Sequence, residues 1–76
     1  MSDAMILDLS GLKCPLPALR TRKALRSLAA GSEISVICTD PMAAIDIPNL
    51  LRETGDVLSG HHEADGRITF VILKVS

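Results

Sequence analysis

The stretch Lys13-Cys14-Pro15-Leu16-Pro17 stands where a short apolar run ends and a long amphipathic pattern begins. Two prolines this close together would break the interior of a helix. They are tolerated in its first turn, where backbone N–H groups have no intrahelical partner. The stretch therefore predicts the start of a helix, with Cys14 at the N-cap, Pro15 at N1 and Pro17 at N3.

A cysteine at that junction is a candidate nucleophile. The N-terminal end of a helix carries partial positive charge and stabilises an anion. A free thiol has a pKa of about 8.5, and a helix N-terminus lowers it by one to several units. The sequence therefore predicts a lowered pKa for Cys14 and a reactive thiolate.

The segments that flank this junction predict a strand and a helix. Residues 5–9 are mostly long aliphatics and indicate a short strand, closed by Ser10-Gly11. Residues 14–30 show helical periodicity, and Gly31 is the expected C-cap. The apolar stripe of this predicted helix consists of Ala18, Thr21, Ala24, Leu25, Leu28 and Ala29.

Basic residues occupy the other face of the predicted helix. They are Arg20, Arg22, Lys23 and Arg26, four of the eight cations in the chain. Such a face can be an ordinary solvated surface. It can also dock an acidic partner and favour a sulfur anion nearby. Because the face lies beside Cys14, the sequence favours the docking interpretation.

The second half of the chain predicts a further strand and an interrupted helix. Residues 33–39 are rich in Ile and Val and predict a central strand. Asp40 followed by Pro41 is a helix-start pattern. Residues 42–45 can form about one helical turn, Pro48 prevents its simple continuation, and Asp46 would cap a second short helix, with residues 49–54 following and Gly55 closing it. Asp40 and Asp46 are therefore expected to be helix caps, although either could also lie beside the thiol in the fold.

The C-terminal segment predicts a hairpin. Residues 56–63 and 67–75 read as two strands joined at Ala64-Asp65-Gly66, and Asp-Gly is a strong turn signal. The predicted element order is therefore β-α-β-α-β-β.

Composition bounds the class of protein. The 76 residues suffice for one domain, and Phe70 is the only aromatic, so the core must be aliphatic. The net charge of −1 argues against nucleic-acid binding. No apolar run is long enough to cross a membrane, and residues 1–4 do not resemble a signal peptide. We expect a cytoplasmic protein with no membrane partner and, since no large apolar face is left unexplained, a monomer.

The remaining reactive residues favour ordinary structural roles. Cys38 lies within an apolar strand and is expected to be a small buried hydrophobe, with a redox partnership with Cys14 as the alternative. His61 and His62 are adjacent on a predicted strand and point to opposite faces, so a shared metal ion is not expected. The sequence indicates no cofactor.

The chain resembles the TusA-like (SirA-like) family of sulfur carriers in four sequence features. These are the Cys14-Pro15-Leu16-Pro17 box, the basic helix Arg22–Arg26, Asp40-Pro41 and Asp46-Ile47-Pro48. The resemblance covers most of the chain as a single domain, residues 1–76. It implies an α+β fold, a two-layer α/β sandwich in which two helices cover one face of a four-stranded mixed sheet. Position 16 is Leu, where the branch that serves tRNA 2-thiouridine synthesis carries an acidic residue, and Leu51 also departs from that branch.

The resemblance further implies a sulfurtransferase activity. Cys14 would accept sulfane sulfur as a persulfide from a cysteine desulfurase or another donor and pass it to a downstream relay protein. Backbone N–H groups of Leu16 and Ala18 are expected to hold the terminal sulfur. Expected docking residues are Lys13, Arg22, Lys23 and Arg26. The alternative is a regulatory or protein-interaction module in which the cysteine box only shapes the helix start and the thiol pKa is near normal.

Overall fold

The computed structural model describes residues 5–75, and within them the predicted element order is confirmed. The elements are β1 (Met5–Leu9), α1 (Leu16–Arg26), β2 (Glu33–Cys38), α2 (Ala43–Thr54), β3 (Val57–Ala64) and β4 (Arg67–Leu73). The expectation about a signal peptide falls on residues 1–4, which lie outside this range. No helix within residues 5–75 has the length and apolar character needed to span a bilayer.

The four strands form one mixed sheet in the order β1-β2-β4-β3. β1 pairs with β2 in parallel, while β4 is antiparallel to both β2 and β3. β2 is therefore an internal strand, as its run of Ile and Val predicts. The parallel pair requires a crossover, which α1 supplies.

The core lies between the sheet and the two helices. Alternate residues of β2 and β4 are buried. The buried residues of the two strands are cross-strand partners, and Val36 and Phe70 are one such pair. From the helices, Leu25, Ile47 and Leu51 complete this layer. The alternation leaves the opposite face of the sheet uncovered by helices, which confirms the two-layer α+β sandwich.

Cys38 belongs to this core. Its side chain is fully buried on β2, and it forms no disulfide with Cys14. Burial raises the pKa of the Cys38 thiol to about 11. The expectation of a small buried hydrophobe is therefore confirmed.

The predicted end of the first helix is wrong. α1 ends at Arg26, and Ser27 is the C-cap, where its backbone N–H and its hydroxyl both bond to the carbonyl of Ala24. Gly31 has a φ of +93° and donates its N–H to the carbonyl of Lys74 at 2.7 Å. The glycine therefore leads the chain into the sheet instead of capping the helix.

The predicted interruption of the second helix is also wrong. α2 is continuous from Ala43 to Thr54, with Pro48 inside it. Ile47, Leu50 and Leu51 are buried on the core side, and this packing stabilises the helix across the proline, which lacks an N–H to donate. Gly55 ends the helix in the left-handed conformation, as predicted.

The hairpin is confirmed at Asp65-Gly66, where φ is positive at both residues. That conformation matches the twist of the strands on either side. His61 and His62 are both exposed on β3, and His61 stacks on Phe70 with ring centroids 6.4 Å apart. Within residues 5–75, no cluster of three or more His, Cys, Asp or Glu side chains could hold a metal ion.

Candidate functional site

Cys14 is exposed in the turn that precedes α1. The Cys14-Pro15 peptide bond is cis, and the N–H of Leu16 donates to the carbonyl of Lys13 at 2.8 Å. This is the arrangement of a type VI turn, with the proline at its third position. The turn places Cys14 one residue before the N-cap.

The helix therefore starts one residue later than the sequence predicts. Pro15 is the N-cap, and Pro17, expected at N3, is at N2, where its ring is fully buried. Cys14 is not the N-cap because residues 13–16 close the turn before the helical hydrogen bonds begin.

Asp40 fixes the backbone of the cysteine. Its Oδ2 accepts the N–H of Cys14 at 2.6 Å, and its Oδ1 accepts the N–H of Met42 at 3.1 Å. These bonds, together with the nearby charge of Lys13, lower the pKa of the Asp40 carboxyl. The N-cap of α2 is Met42, not Asp40, but the carboxylate still bonds a backbone N–H at the start of the helix.

Asp46 lies beside the thiol of Cys14. It is in the first turn of α2, half-buried, and is not the cap of a second helix. The Cys14 thiol hydrogen-bonds to the Asp46 carboxylate. Of the two aspartates expected to be caps, one therefore contacts the backbone of Cys14 and the other its sulfur.

The prediction of a lowered pKa for the Cys14 thiol is wrong. The hydrogen bond to Asp46 raises the pKa of Cys14, with further contributions from partial desolvation and from the negative charges of Asp46 and Asp40. A carboxylate that accepts the S–H proton stabilises the protonated form. The cysteine is therefore an exposed thiol held mainly in its neutral state, which matches neither the thiolate expected of a carrier nor the normal thiol expected of a structural box.

A groove of about 200 Å³ runs from Cys14 between the two helices. Pro15, Ala18 and Leu19 line it from the α1 side, and Arg22 lies at the same wall. The wall formed by α2 consists of Asp46, Asn49, Leu50 and Glu53. The Cys14 sulfur therefore lies at one end of a groove that is lined by both apolar and polar side chains.

An ion pair crosses this groove. Arg22 contacts Oε2 of Glu53 at 2.6 Å, and both side chains remain substantially exposed. Lys23 lies elsewhere, in a second groove of about 290 Å³ between α1 and β1 that Arg20 also lines. Arg26 is exposed and lines neither groove. The basic face expected to dock a partner is therefore divided, and only Arg22 lies in the groove of the cysteine.

The two N–H groups expected to hold a terminal sulfur differ in availability. That of Leu16 already donates to the carbonyl of Lys13, so the prediction of a free donor there is wrong. For the N–H of Ala18, no acceptor is found within residues 5–75. Ala18 also lines the groove, so it is the member of the pair that a ligand of Cys14 can reach.

Sequence reasoning missed the apolar rim of the site. Four large hydrophobic side chains are exposed at the N-terminal ends of α1 and α2, and Leu19 among them lines the groove: Leu16, Leu19, Met42 and Ile45. It also missed the wall formed by Asn49, Leu50 and Glu53. The available signal for the rim is that Leu19 is apolar yet falls outside the buried stripe of its helix. Nothing in the sequence pairs Glu53 with Arg22, 31 residues away.

These features define a small two-layer sandwich whose exposed cysteine stands at the mouth of an interhelical groove. The family model for sulfurtransferase TusA matches residues 5–74. The chain belongs to this family.

Named relatives and a solved structure agree with that membership. The chain is 46% identical over 66 residues to a proposed sulfur carrier protein of Neisseria meningitidis serogroup A, covering 87% of this chain and 89% of the relative. It is 41% identical over 68 residues to the sulfur carrier protein TusA of Allochromatium vinosum, covering 90% of each. The crystal structure of a SirA-like protein from Desulfitobacterium hafniense superposes with a TM-score of 0.83 at 26% identity, over 95% of this chain and 99% of that one.

Proposed function

We propose that this protein is a sulfur carrier that accepts sulfane sulfur as a persulfide on Cys14 and relays it to an acceptor protein. The observation that carries the proposal is the exposed Cys14 thiol at the mouth of the interhelical groove, in a chain of the sulfurtransferase TusA family. Relatives named as sulfur carrier proteins support the same role.

The geometry suits a sulfur that must be charged and then discharged. A carrier cysteine has to attack a donor persulfide and afterwards expose its own outer sulfur to an acceptor thiol. Cys14 is accessible for both steps, and the groove offers room for an outer sulfur beside the N–H of Ala18. In this sense the protein is a sulfurtransferase whose only covalent chemistry is at one cysteine.

The surroundings of Cys14 favour a protein partner. The exposed rim of Leu16, Leu19, Met42 and Ile45 is apolar, as the centres of protein interfaces are. Arg22 and Lys13 add positive charge near the rim. We propose that a cysteine desulfurase or another persulfide donor docks there, and that the downstream relay protein uses the same end of the molecule.

The destination of the sulfur is the finer part of the proposal. Synthesis of 2-thiouridine in tRNA is the first pathway to test. Leu16 and Leu51 depart from the residues of the branch that serves tRNA thiolation. Molybdenum-cofactor synthesis, sulfur oxidation and selenium metabolism are therefore the other candidate pathways. We place the protein in the cytoplasm, where both cysteines would stay reduced, in keeping with their free thiols in the fold.

The test is mass spectrometry of the intact protein after incubation with a cysteine desulfurase and cysteine. We expect a gain of about 32 Da, one sulfur atom, that is reversed by a reducing thiol. Cys14→Ser should abolish the gain. Cys38→Ser is the matched control and should retain it, because Cys38 is buried in the core. An unmodified wild-type protein in the presence of an active donor contradicts the proposal.

A further inference from the structure

Two aspartates, Asp40 and Asp46, lie near the thiol of Cys14 and act on it electrostatically. Both carboxylate oxygens of Asp40 already accept hydrogen bonds, one from the backbone N–H of Cys14 and one from that of Met42. Asp46 is different. Cys14 and Asp46 line the same groove, and the Asp46 carboxylate lies close enough to the thiol to accept its hydrogen bond. No other hydrogen bond or ion pair of that carboxylate is found within residues 5–75.

The other charged groups around the sulfur do not compete for this role. Glu53 is paired with Arg22 along the groove. Lys13 lies next to the cysteine in sequence, and its charge acts on Asp40. Asp46 is thus the carboxylate that can take a proton directly from the sulfur.

We propose that Asp46 is the general base of persulfide uptake and carries the thiol proton while Cys14 attacks. This inference rests on the sulfur-carrier function proposed above. A neutral thiol is a poor nucleophile, and a carboxylate within hydrogen-bond reach removes its proton as the new bond forms.

The step balances without an oxidant or a reductant. Sγ of Cys14 attacks the outer sulfur of a donor persulfide, and the S–S bond of the donor breaks as the new S–S bond forms. The proton of Cys14 passes to Asp46 and then to the departing donor thiolate. The donor R–S–SH and the thiol of Cys14 become R–SH and the persulfide of Cys14.

The test compares two reactions of Asp46→Asn with those of the wild-type protein. The first is alkylation of Cys14 by iodoacetamide at neutral pH, which follows the thiolate fraction. Loss of the negative charge should make this reaction several-fold faster. The second is single-turnover sulfur uptake from glutathione persulfide, followed by mass spectrometry. Loss of the base should make it at least about tenfold slower.

The pH profile distinguishes a base from a merely structural residue. Sulfur uptake by Asp46→Asn should rise about tenfold per pH unit below the thiol pKa, because only thiolate reacts, whereas the wild-type rate should be flatter. Asp8→Asn is the matched control and should leave both reactions unchanged, since the hydrogen bonds of the Asp8 carboxylate within residues 5–75 go to Ser10 and Asp8 does not line the groove of Cys14. Thermal unfolding checks that each variant is folded.

The outcomes are separable. Faster alkylation with slower uptake supports the inference. If both reactions become faster, Asp46 only suppresses ionisation and the inference is wrong. If the wild-type protein takes up no sulfur from glutathione persulfide or from a desulfurase, the proposed function fails and the base has no reaction to serve.

Discussion

The backbone N–H of Cys14 lies 2.6 Å from Oδ2 of Asp40, a residue 26 positions later in the chain. This bond joins the turn before α1 to the start of α2. The same carboxylate also holds the N–H of Met42. The position of the reactive sulfur therefore depends on a contact between two segments that are both outside regular structure.

Replacing Asp40 with Asn should loosen the turn that carries Cys14. An amide has one acceptor oxygen, so it cannot accept both backbone N–H groups as the carboxylate does. We expect faster hydrogen exchange at the amide of Cys14 and a small decrease in the thiol pKa, because a nearby negative charge is lost. NMR exchange measurements check the first effect and the pH profile of alkylation checks the second.

The hydrogen bond between Cys14 and Asp40 also determines in which direction the unfolding free energy changes with pH. The pKa of Asp40 in the folded protein lies below its ordinary value of 3.8, so the unfolded chain binds this proton more readily. The contribution of Asp40 to stability is therefore present above pH 3.8 and is lost as the pH falls through the lower folded value. Asp40→Asn should reduce the acid dependence of the unfolding free energy. An acid limb identical to that of the wild type would contradict this account.

Local signals were sufficient to predict the order of the elements. The alternation in β4 and the Asp65-Gly66 turn need no information from elsewhere in the chain. The end of α1 and the continuity of α2 do, because the chain leaves α1 at Ser27, before the predicted Gly31, and the helix across Pro48 is supported by Ile47 and its buried neighbours. Packing decides such boundaries, and the sequence pattern does not record it.

The site was predictable only in part, for the same reason. The proline box identifies Cys14 from five consecutive residues. The sign of its pKa shift depends on Asp40 and Asp46, which reach the sulfur only after α2 packs beside α1. The basic residues of one helix are visible in the sequence, but their division between two grooves is a property of the folded surface.

The two thiols should differ sharply in reactivity. Cys14 is exposed, whereas Cys38 is buried with a pKa of about 11. We expect iodoacetamide at pH 8 to alkylate one thiol per folded chain, slowly because the Cys14 pKa is raised, and both thiols in guanidinium chloride. Mass spectrometry of the alkylated protein gives the count. A disulfide formed under mild oxidation would instead support the redox pair of Cys14 and Cys38.

Gly66→Ala should destabilise the hairpin. Gly66 has a φ of +75°, a conformation that costs a residue with a Cβ about 1–2 kcal/mol. Gly60→Ala is the matched control, because that glycine lacks a positive φ and a Cβ there would meet nothing within 4 Å. It should be neutral or stabilise by about 0.5–1 kcal/mol. Urea unfolding compares the two, and equal effects would show that the turn conformation does not limit stability.

Arg22 should contribute more to donor docking than the other cations of α1. It lines the groove of Cys14, whereas Arg26 lines neither groove, so the two residues form a matched pair. Arg22→Ala should raise the concentration of carrier needed for half-maximal sulfur uptake from a cysteine desulfurase, and added salt should reduce the difference from wild type. Its effect on the unfolding free energy should be below about 1 kcal/mol, because the ion pair with Glu53 is exposed. Arg26→Ala should change neither quantity appreciably. Equal losses of uptake in the two variants would mean that the partner covers the whole basic face of the helix, as the sequence alone predicts, and that the groove has no special part in docking.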